Sequence, residues 1–125
     1  MKVFCGTDII EISRVKDSIS SDTGDKFLER VYTQEEIEYC ESKNKQKYQH
    51  YAARFSAKEA IFKAISSGLE NKYAIEWTEI EIVNKDDGKP IVIIHNEVSE
   101  MIDCIDLSIS HCKDYAIASA VAVFK

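Results

Sequence analysis

Proline occurs once and glycine four times in 125 residues. That scarcity excludes a collagen-like chain, a flexible linker and a low-complexity segment. No apolar run approaches the roughly 20 residues of a membrane span, so no transmembrane helix and no membrane partner are expected. The N-terminus reads Met1-Lys2-Val3-Phe4-Cys5-Gly6-Thr7-Asp8. One early charge and no long apolar stretch before Asp8 argue against a secretory signal. Positive charge is also scarce: 16 Lys and Arg stand against 22 Asp and Glu, a net charge of -6. A general nucleic-acid binder needs net or clustered positive charge, so that class is set aside, while a local basic patch could still meet an acidic partner. The four cysteines, Cys5, Cys40, Cys104 and Cys112, include no C-x-x-C pair. They are expected to be reduced, mostly buried thiols of a cytoplasmic protein and not zinc ligands. Walker-type and dinucleotide glycine motifs are absent, which removes nucleotide binding by those routes.

What remains is a chain that is 45% hydrophobic and 30% charged, the profile of one globular domain over residues 1–125. Residues 3–12 are rich in β-formers and predict a strand. Ser13 offers an N-cap, and Ile12, Val15 and Ile19 follow at helical spacing. Residues 20–24 predict a loop, and Phe27, Leu28 and Val31 a second short helix. Thr33 and Glu36 have capping-box spacing and open a helix carrying Ile37 and Cys40. The longest helical pattern runs over about residues 47–67. Tyr48, Ala52, Phe55, Phe62 and Ser66 share one face, with Ile61 and Ile65 on another, so a central buried helix is expected.

Beyond Ser66-Ser67-Gly68 the period changes to two. Thr78, Ile80 and Ile82 alternate with charged residues, Asp87-Gly88 turns the chain, and residues 91–95 return. Asn96 caps a short helix through Val98 and Met101. Ile105, Leu107, Ile109 and His111 then alternate with polar residues, and residues 115–124 form a last strand. The expected fold is α+β, a small, mainly antiparallel sheet packed on one long helix.

Two carboxylates sit where apolar residues belong. Glu59 falls between Phe55 and Phe62 on the helical wheel, and burying it needs a compensating cation. One reading is an ion pair with Lys63 four residues on; the other is a metal or catalytic role. Asp8 shares a strand face with Phe4, Gly6, Ile10 and Ile12, and Gly6 would leave open space beside it. A plain strand-end Asp is the alternative. If the two converge they suit Mg2+, which takes oxygen ligands and keeps water or phosphate in its other positions. Arg54, Lys58 and Lys63 flank Glu59 as candidate phosphate contacts, or form a solvated helix face. His111 and the Lys89-Pro90 turn read first as ordinary surface and turn chemistry.

Taken together these segments resemble the holo-[acyl-carrier-protein] synthases, the short bacterial-type members of the 4'-phosphopantetheinyl transferase superfamily. Gly6-Thr7-Asp8-Ile9-Ile10-Glu11-Ile12 with Arg14 is similar to their first signature. Arg54-Phe55-Ser56-Ala57-Lys58-Glu59-Ala60 with Lys63 is similar to their second. Phe27 to Glu36, Asp87-Gly88-Lys89-Pro90, and Leu107 to His111 with Lys113, Tyr115 and Ala116 follow in order. The resemblance implies transfer of the phosphopantetheine arm of coenzyme A to a serine of apo-acyl carrier protein, releasing adenosine 3',5'-bisphosphate. It implies Asp8 and Glu59 as Mg2+ ligands, and Glu59 and Lys63 as the catalytic positions. Arg54, Lys63, Gly68, Lys89, Pro90 and His111 would contact coenzyme A, and Arg14 the carrier. It further implies a cytoplasmic homotrimer with sites between protomers. The chain departs from the family pattern at Ser66-Ser67-Gly68, where relatives have G-T-G, at Ala53, and at Phe62, where they carry a small residue. The general base stays open among Glu59, a metal-bound water and an acid in residues 33–38. Two other classes remain on the residues alone: another small Mg2+-dependent phosphotransfer or phosphodiester enzyme, and a non-enzymatic partner-binding domain.

Overall fold

The structure is a computed structural model that describes residues 1–71 and 74–125. In chain order it has β1 (Lys2–Glu11), α1 (Ile12–Ser20), α2 (Gly24–Val31), α3 (Gln34–Glu41), α4 (Lys47–Ser66), β2 (Ile80–Asn84), β3 (Pro90–Ile94), β4 (Ile102–His111) and β5 (Tyr115–Phe124). Strands β1, β5 and β4 form a three-stranded antiparallel sheet in that order, and β2 and β3 form a separate antiparallel hairpin. The α+β expectation holds, with the strands divided between these two units.

Small side chains decide how the layers meet. Ala116, Ala118, Ala120 and Ala122 of β5 all point inward and are buried. Opposite them on β1 stand Ile10, Asp8, Gly6 and Phe4. Helix α4 answers with Ala57, Ala60, Ile61, Ala64 and Ile65, which join Ala118, Ala120 and Ala122 in one core. The buried face of α4 is therefore the alanine and isoleucine side. The aromatic stripe through Tyr48, Phe55 and Phe62 is only half buried and marks the edge of the helix. An aromatic-weighted reading of the wheel misplaces the core here because close packing against a sheet of alanines favours methyl groups.

Gly6 explains how close that packing is. A Cβ there would collide with the Ala60 carbonyl oxygen and crowd Lys63 Cβ. The glycine does not leave open space beside Asp8, as the strand pattern led us to expect; it admits the backbone of α4. A second core forms where α1, α2 and α3 pack on the first half of α4 around Val15, Val31, Tyr32, Cys40 and Tyr51.

Other details differ locally. Helix α1 starts one residue before the expected Ser13 cap, with no side-chain cap, and Ile12 donates its N–H to the Asp114 carbonyl. Thr78 lies in a 3-10 turn at Trp77–Glu79, closed by reciprocal Glu76 and Glu79 contacts, so β2 begins at Ile80. The Thr33–Glu36 capping box and the Asn96 cap form as expected. All four cysteines are free, but only Cys40 is buried; Cys5, Cys104 and Cys112 are exposed. Burial pushes the Cys40 thiol up to about 12, so it stays protonated. Among the described residues, no helix is long and apolar enough to cross a membrane.

Candidate active site

The close approach of α4 to β1 brings Asp8, Glu59 and Lys63 together. Lys63 Nζ lies 3.3 Å from Asp8 Oδ1 and donates to the Thr7 carbonyl at 3.0 Å. Ser56 Oγ donates to the Asp8 carbonyl at 2.9 Å, tying strand to helix from a second point. Lys63 thus pairs with Asp8 and not with Glu59, and the intrahelical ion pair weighed from spacing does not form. The half-buried Glu59 carboxylate has no hydrogen bond or ion pair among the described residues. Burial raises its pKa, the nearby charge of Asp8 raises it further, and Lys63 lowers it. Two carboxylates therefore repel each other across a site with one lysine, a local excess of negative charge.

That arrangement fits a hard divalent cation. Among the described residues no cluster of three or more His, Cys, Asp or Glu side chains converges, so an all-protein metal cage is absent. Two carboxylates with room for water and phosphate oxygens are the usual donor set for Mg2+. Beside Glu59 opens a cavity of about 480 Å³ walled by Phe62, Ile75, Trp77 and Ile80, with Arg30 and Glu76 at its polar edge.

The other positions singled out from the sequence gather elsewhere. Arg54, Pro90 and His111 line a second cavity of about 310 Å³ together with His50, Asn84 and Gly88. Arg54 is only 4% exposed. Its guanidinium stacks on the Tyr39 ring at 4.0 Å and donates to Asn84 Oδ1 at 2.6 Å. Asn84 Nδ2 in turn donates to the Gly88 carbonyl, which fixes the hairpin turn against the helix. Gly88 adopts φ +86°, the left-handed conformation that a glycine supplies at this turn. Arg54 Nε is the buried side-chain polar atom without a partner among the described residues. Lys89, next to Pro90, is exposed and lies 4.0 Å from Asp106.

Lys58 does not flank a phosphate site. It is sealed in the interior, 2.5 Å from Glu36 Oε1, and donates to the Val31 and Trp77 carbonyls. The same pair leaves Glu36 unsuited to act as a base, since its oxygens also accept the Thr33 and Ile82 N–H groups. Gly68 packs against the Phe124 ring, where a Cβ would lie 2.6 Å from a ring carbon. Ser66 and Ser67 both turn their hydroxyls back to the Lys63 carbonyl. Arg14 is exposed on α1. His50, Asn84 and Tyr39 were not singled out in the sequence; only the tertiary contact of α3 and the hairpin with α4 reveals them.

This small α+β fold is that of a known superfamily of transferases. The family model described as the 4'-phosphopantetheinyl transferase superfamily matches residues 4–120, and the chain belongs to that superfamily. Within it the chain stands with the holo-[acyl-carrier-protein] synthases. The synthase of Ruminiclostridium cellulolyticum is 47% identical over 126 aligned residues, covering 97% of this chain and 92% of the relative. That of Thermoanaerobacter sp. is 43% identical, covering 98% and 88%. A solved holo-(acyl-carrier-protein) synthase from Bacillus anthracis in complex with CoA (3',5'-ADP) superimposes with a TM-score of 0.78 at 34% identity, covering 98% of this chain and 96% of that one. The ACPS–CoA complex of Chronobacterium ammoniagenes gives a TM-score of 0.82 at 25% identity, covering 100% and 99%.

Proposed function

We propose that this chain, as one domain over residues 1–125, transfers the 4'-phosphopantetheine group of coenzyme A to a serine hydroxyl of apo-acyl carrier protein in the cytoplasm. The bridging P–O bond of the coenzyme A pyrophosphate breaks on its pantetheine side, the serine oxygen bonds to the pantetheine phosphorus as its proton passes to a base, and adenosine 3',5'-bisphosphate leaves. The observation that carries the reading is the unpaired Glu59 carboxylate beside Asp8, in a chain whose relatives are synthases of this kind. Asp8 and Glu59 would hold Mg2+, whose charge offsets that of the pyrophosphate and of the leaving phosphate.

Lys63 stands over the same site and supplies a positive charge to a phosphate oxygen. Its amine is half exposed, so it can leave Asp8 for a ligand without unmaking the core. Arg54 and His111, with the Lys89-Pro90 turn, would hold the other phosphate-bearing end of coenzyme A, and Gly68 would lie along its path. The exposed Arg14 would meet the acidic carrier.

Glu59 borders one cavity, and Arg54, Pro90 and His111 line a separate one in the same chain. A homotrimer in which one protomer's carboxylates face a neighbour's Arg54 cavity would unite them. The outer face of the β1-β5-β4 sheet supports such an assembly. Val3 is 60% and Ile9 61% exposed there, with Tyr115, Ile117 and Val121 also open to solvent. An apolar face of this kind on an otherwise charged chain marks a contact surface.

The test is incubation with coenzyme A and apo-carrier, with and without Mg2+, read as the mass of the carrier and the appearance of adenosine 3',5'-bisphosphate. A phosphopantetheine gain that requires Mg2+ is expected. No gain under any divalent cation would overturn the proposal, and a monomer in sedimentation at working concentration would overturn the trimer.

A further inference from the structure

The cavity around Arg54 holds a residue that the transfer chemistry above does not use. His50 stands in the first turns of α4, half buried, with its ring edge-on to Tyr39 at 5.6 Å between centroids. Its ring nitrogens make no hydrogen bond among the described residues. It lines the same cavity as Arg54 and His111, and no carboxylate is among the lining residues.

The charges facing it are of one sign. Arg54 approaches from its own helix, Lys43 from the turn after α3, and His111 from the end of β4; the Tyr39 ring on α3 is the other titratable neighbour. Burial lowers the His50 pKa, and Lys43, Arg54 and His111 lower it further. Arg54 Nε is buried and unpartnered at this wall. A half-closed cavity with an under-bonded guanidinium, two imidazoles and no acid awaits an anion.

We propose that His50 is a third cationic contact in this cavity, which takes up a proton when the phosphate monoester of coenzyme A binds. The proposal rests on the coenzyme A reading above. It assigns the monoester because the pyrophosphate belongs with Asp8 and Glu59, and coenzyme A carries one other phosphate. The sign follows from the neighbours. Without a ligand, burial first and then Lys43, Arg54 and His111 disfavour the charged form of His50. A bound dianion reverses the local field and raises the affinity of the ring for a proton. Coenzyme A must then bind more tightly as pH falls toward the His50 pKa of the complex.

The experiment is calorimetric titration of the full chain with coenzyme A and, separately, with dephospho-coenzyme A, at about pH 8 and about pH 7, both at least one unit above the second phosphate pKa of about 6. Coenzyme A should tighten by roughly three- to tenfold on going to the lower pH, since one pKa unit corresponds to a factor of ten. Dephospho-coenzyme A should show little of this response. A His111→Gln background isolates the contribution of His50 from that of the neighbouring imidazole. In that background His50→Gln should abolish the remaining pH response. His50→Lys should instead bind coenzyme A tightly at both pH values, a gain that loss of packing alone cannot produce. The inference falls if His50→Gln keeps the response, if His50→Lys binds no better at the higher pH, or if dephospho-coenzyme A responds equally. Each of those results leaves carrier modification by the unaltered chain intact. Failure of the unaltered chain to bind coenzyme A at either pH would sink the functional reading and this inference with it.

Discussion

Lys58 and Lys63 of helix α4 stand five residues apart, each facing a carboxylate, and their surroundings give them opposite roles. Lys58 and Glu36 are 2.5 Å apart and fully excluded from water. All three ammonium protons are used, on Glu36, Val31 and Trp77. Lys63 and Asp8 are 3.3 Å apart, with side chains 49% and 16% exposed. The sealed pair joins α2, α3, α4 and β2 and leaves no bond free for chemistry. The open pair is loose, next to an unpaired Glu59, and can exchange its partner for a ligand. Burial and completeness of hydrogen bonding separate the strut from the site.

The sharpest way to break this contrast is to remove the sealed lysine. Lys58→Met leaves Glu36 charged and unpaired in the interior and should cost about 3–5 kcal/mol of stability in urea denaturation. Adding Glu36→Gln should recover about 1–2 kcal/mol, because the buried charge goes, although the single amide oxygen can accept from only one of the Thr33 and Ile82 N–H groups. A Lys58→Met chain as stable as the parent would remove the strut from the picture.

At the open pair the effects should reverse. Glu59→Gln keeps the shape and removes the charge, and transfer should fall on the order of 100-fold, the scale of losing one electrostatic contact to a developing charge. Lys63→Ala should raise the KM for coenzyme A and lower kcat, while stability moves by less than about 1 kcal/mol. Steady-state kinetics beside thermal melts give both readings, and a large melting shift without a kinetic change would exchange the roles of the two lysines.

A smaller effect concerns acid. Burial works against ionisation of Glu81, but the Thr33 hydroxyl and His95 outweigh it and hold its pKa below the usual value. A depressed carboxylate contributes stability above its unfolded pKa, and that contribution disappears as pH falls through its folded pKa. Glu81→Gln should therefore flatten the acid side of a stability–pH curve below about pH 4.5. An unchanged acid limb would show that this network contributes nothing to pH dependence.

The smallest effect is expected at Arg14. Arg14→Glu should raise the KM for the carrier several-fold, reduce its salt dependence and leave the KM for coenzyme A unchanged, since exposed charges act within a Debye length of about 8–10 Å. Equal damage to both constants would assign Arg14 elsewhere.

Much of this was legible in the residues. The alternation of β1 placed Asp8 on its inner face, and the Thr33–Glu36 spacing announced a cap that is present. Periodicity also delimited α4 to within a residue at its end. It could not reveal that Lys58 is the buried cation and Lys63 the open one, because both flank Glu59 and the difference lies in what packs on each side. Nor could it show the partner of Glu36: a capping glutamate has a second lone-pair direction, and only the fold points it at Lys58. The cavity of Arg54, His50 and Asn84 joins α4 to a hairpin 30 residues beyond Arg54, a contact no local pattern encodes.

Gly6 and the inward alanines of β5 set the distance between strand and helix by direct approach of backbone and methyl groups. Backbone and methyl groups have almost no rotamers to lose. The positions from which Asp8 and Glu59 extend are thus settled when the chain folds, and little conformational entropy is left to be lost when a ligand arrives. A larger residue at Gly6 would act as a spacer, widening the gap between the carboxylates while leaving both in the sequence.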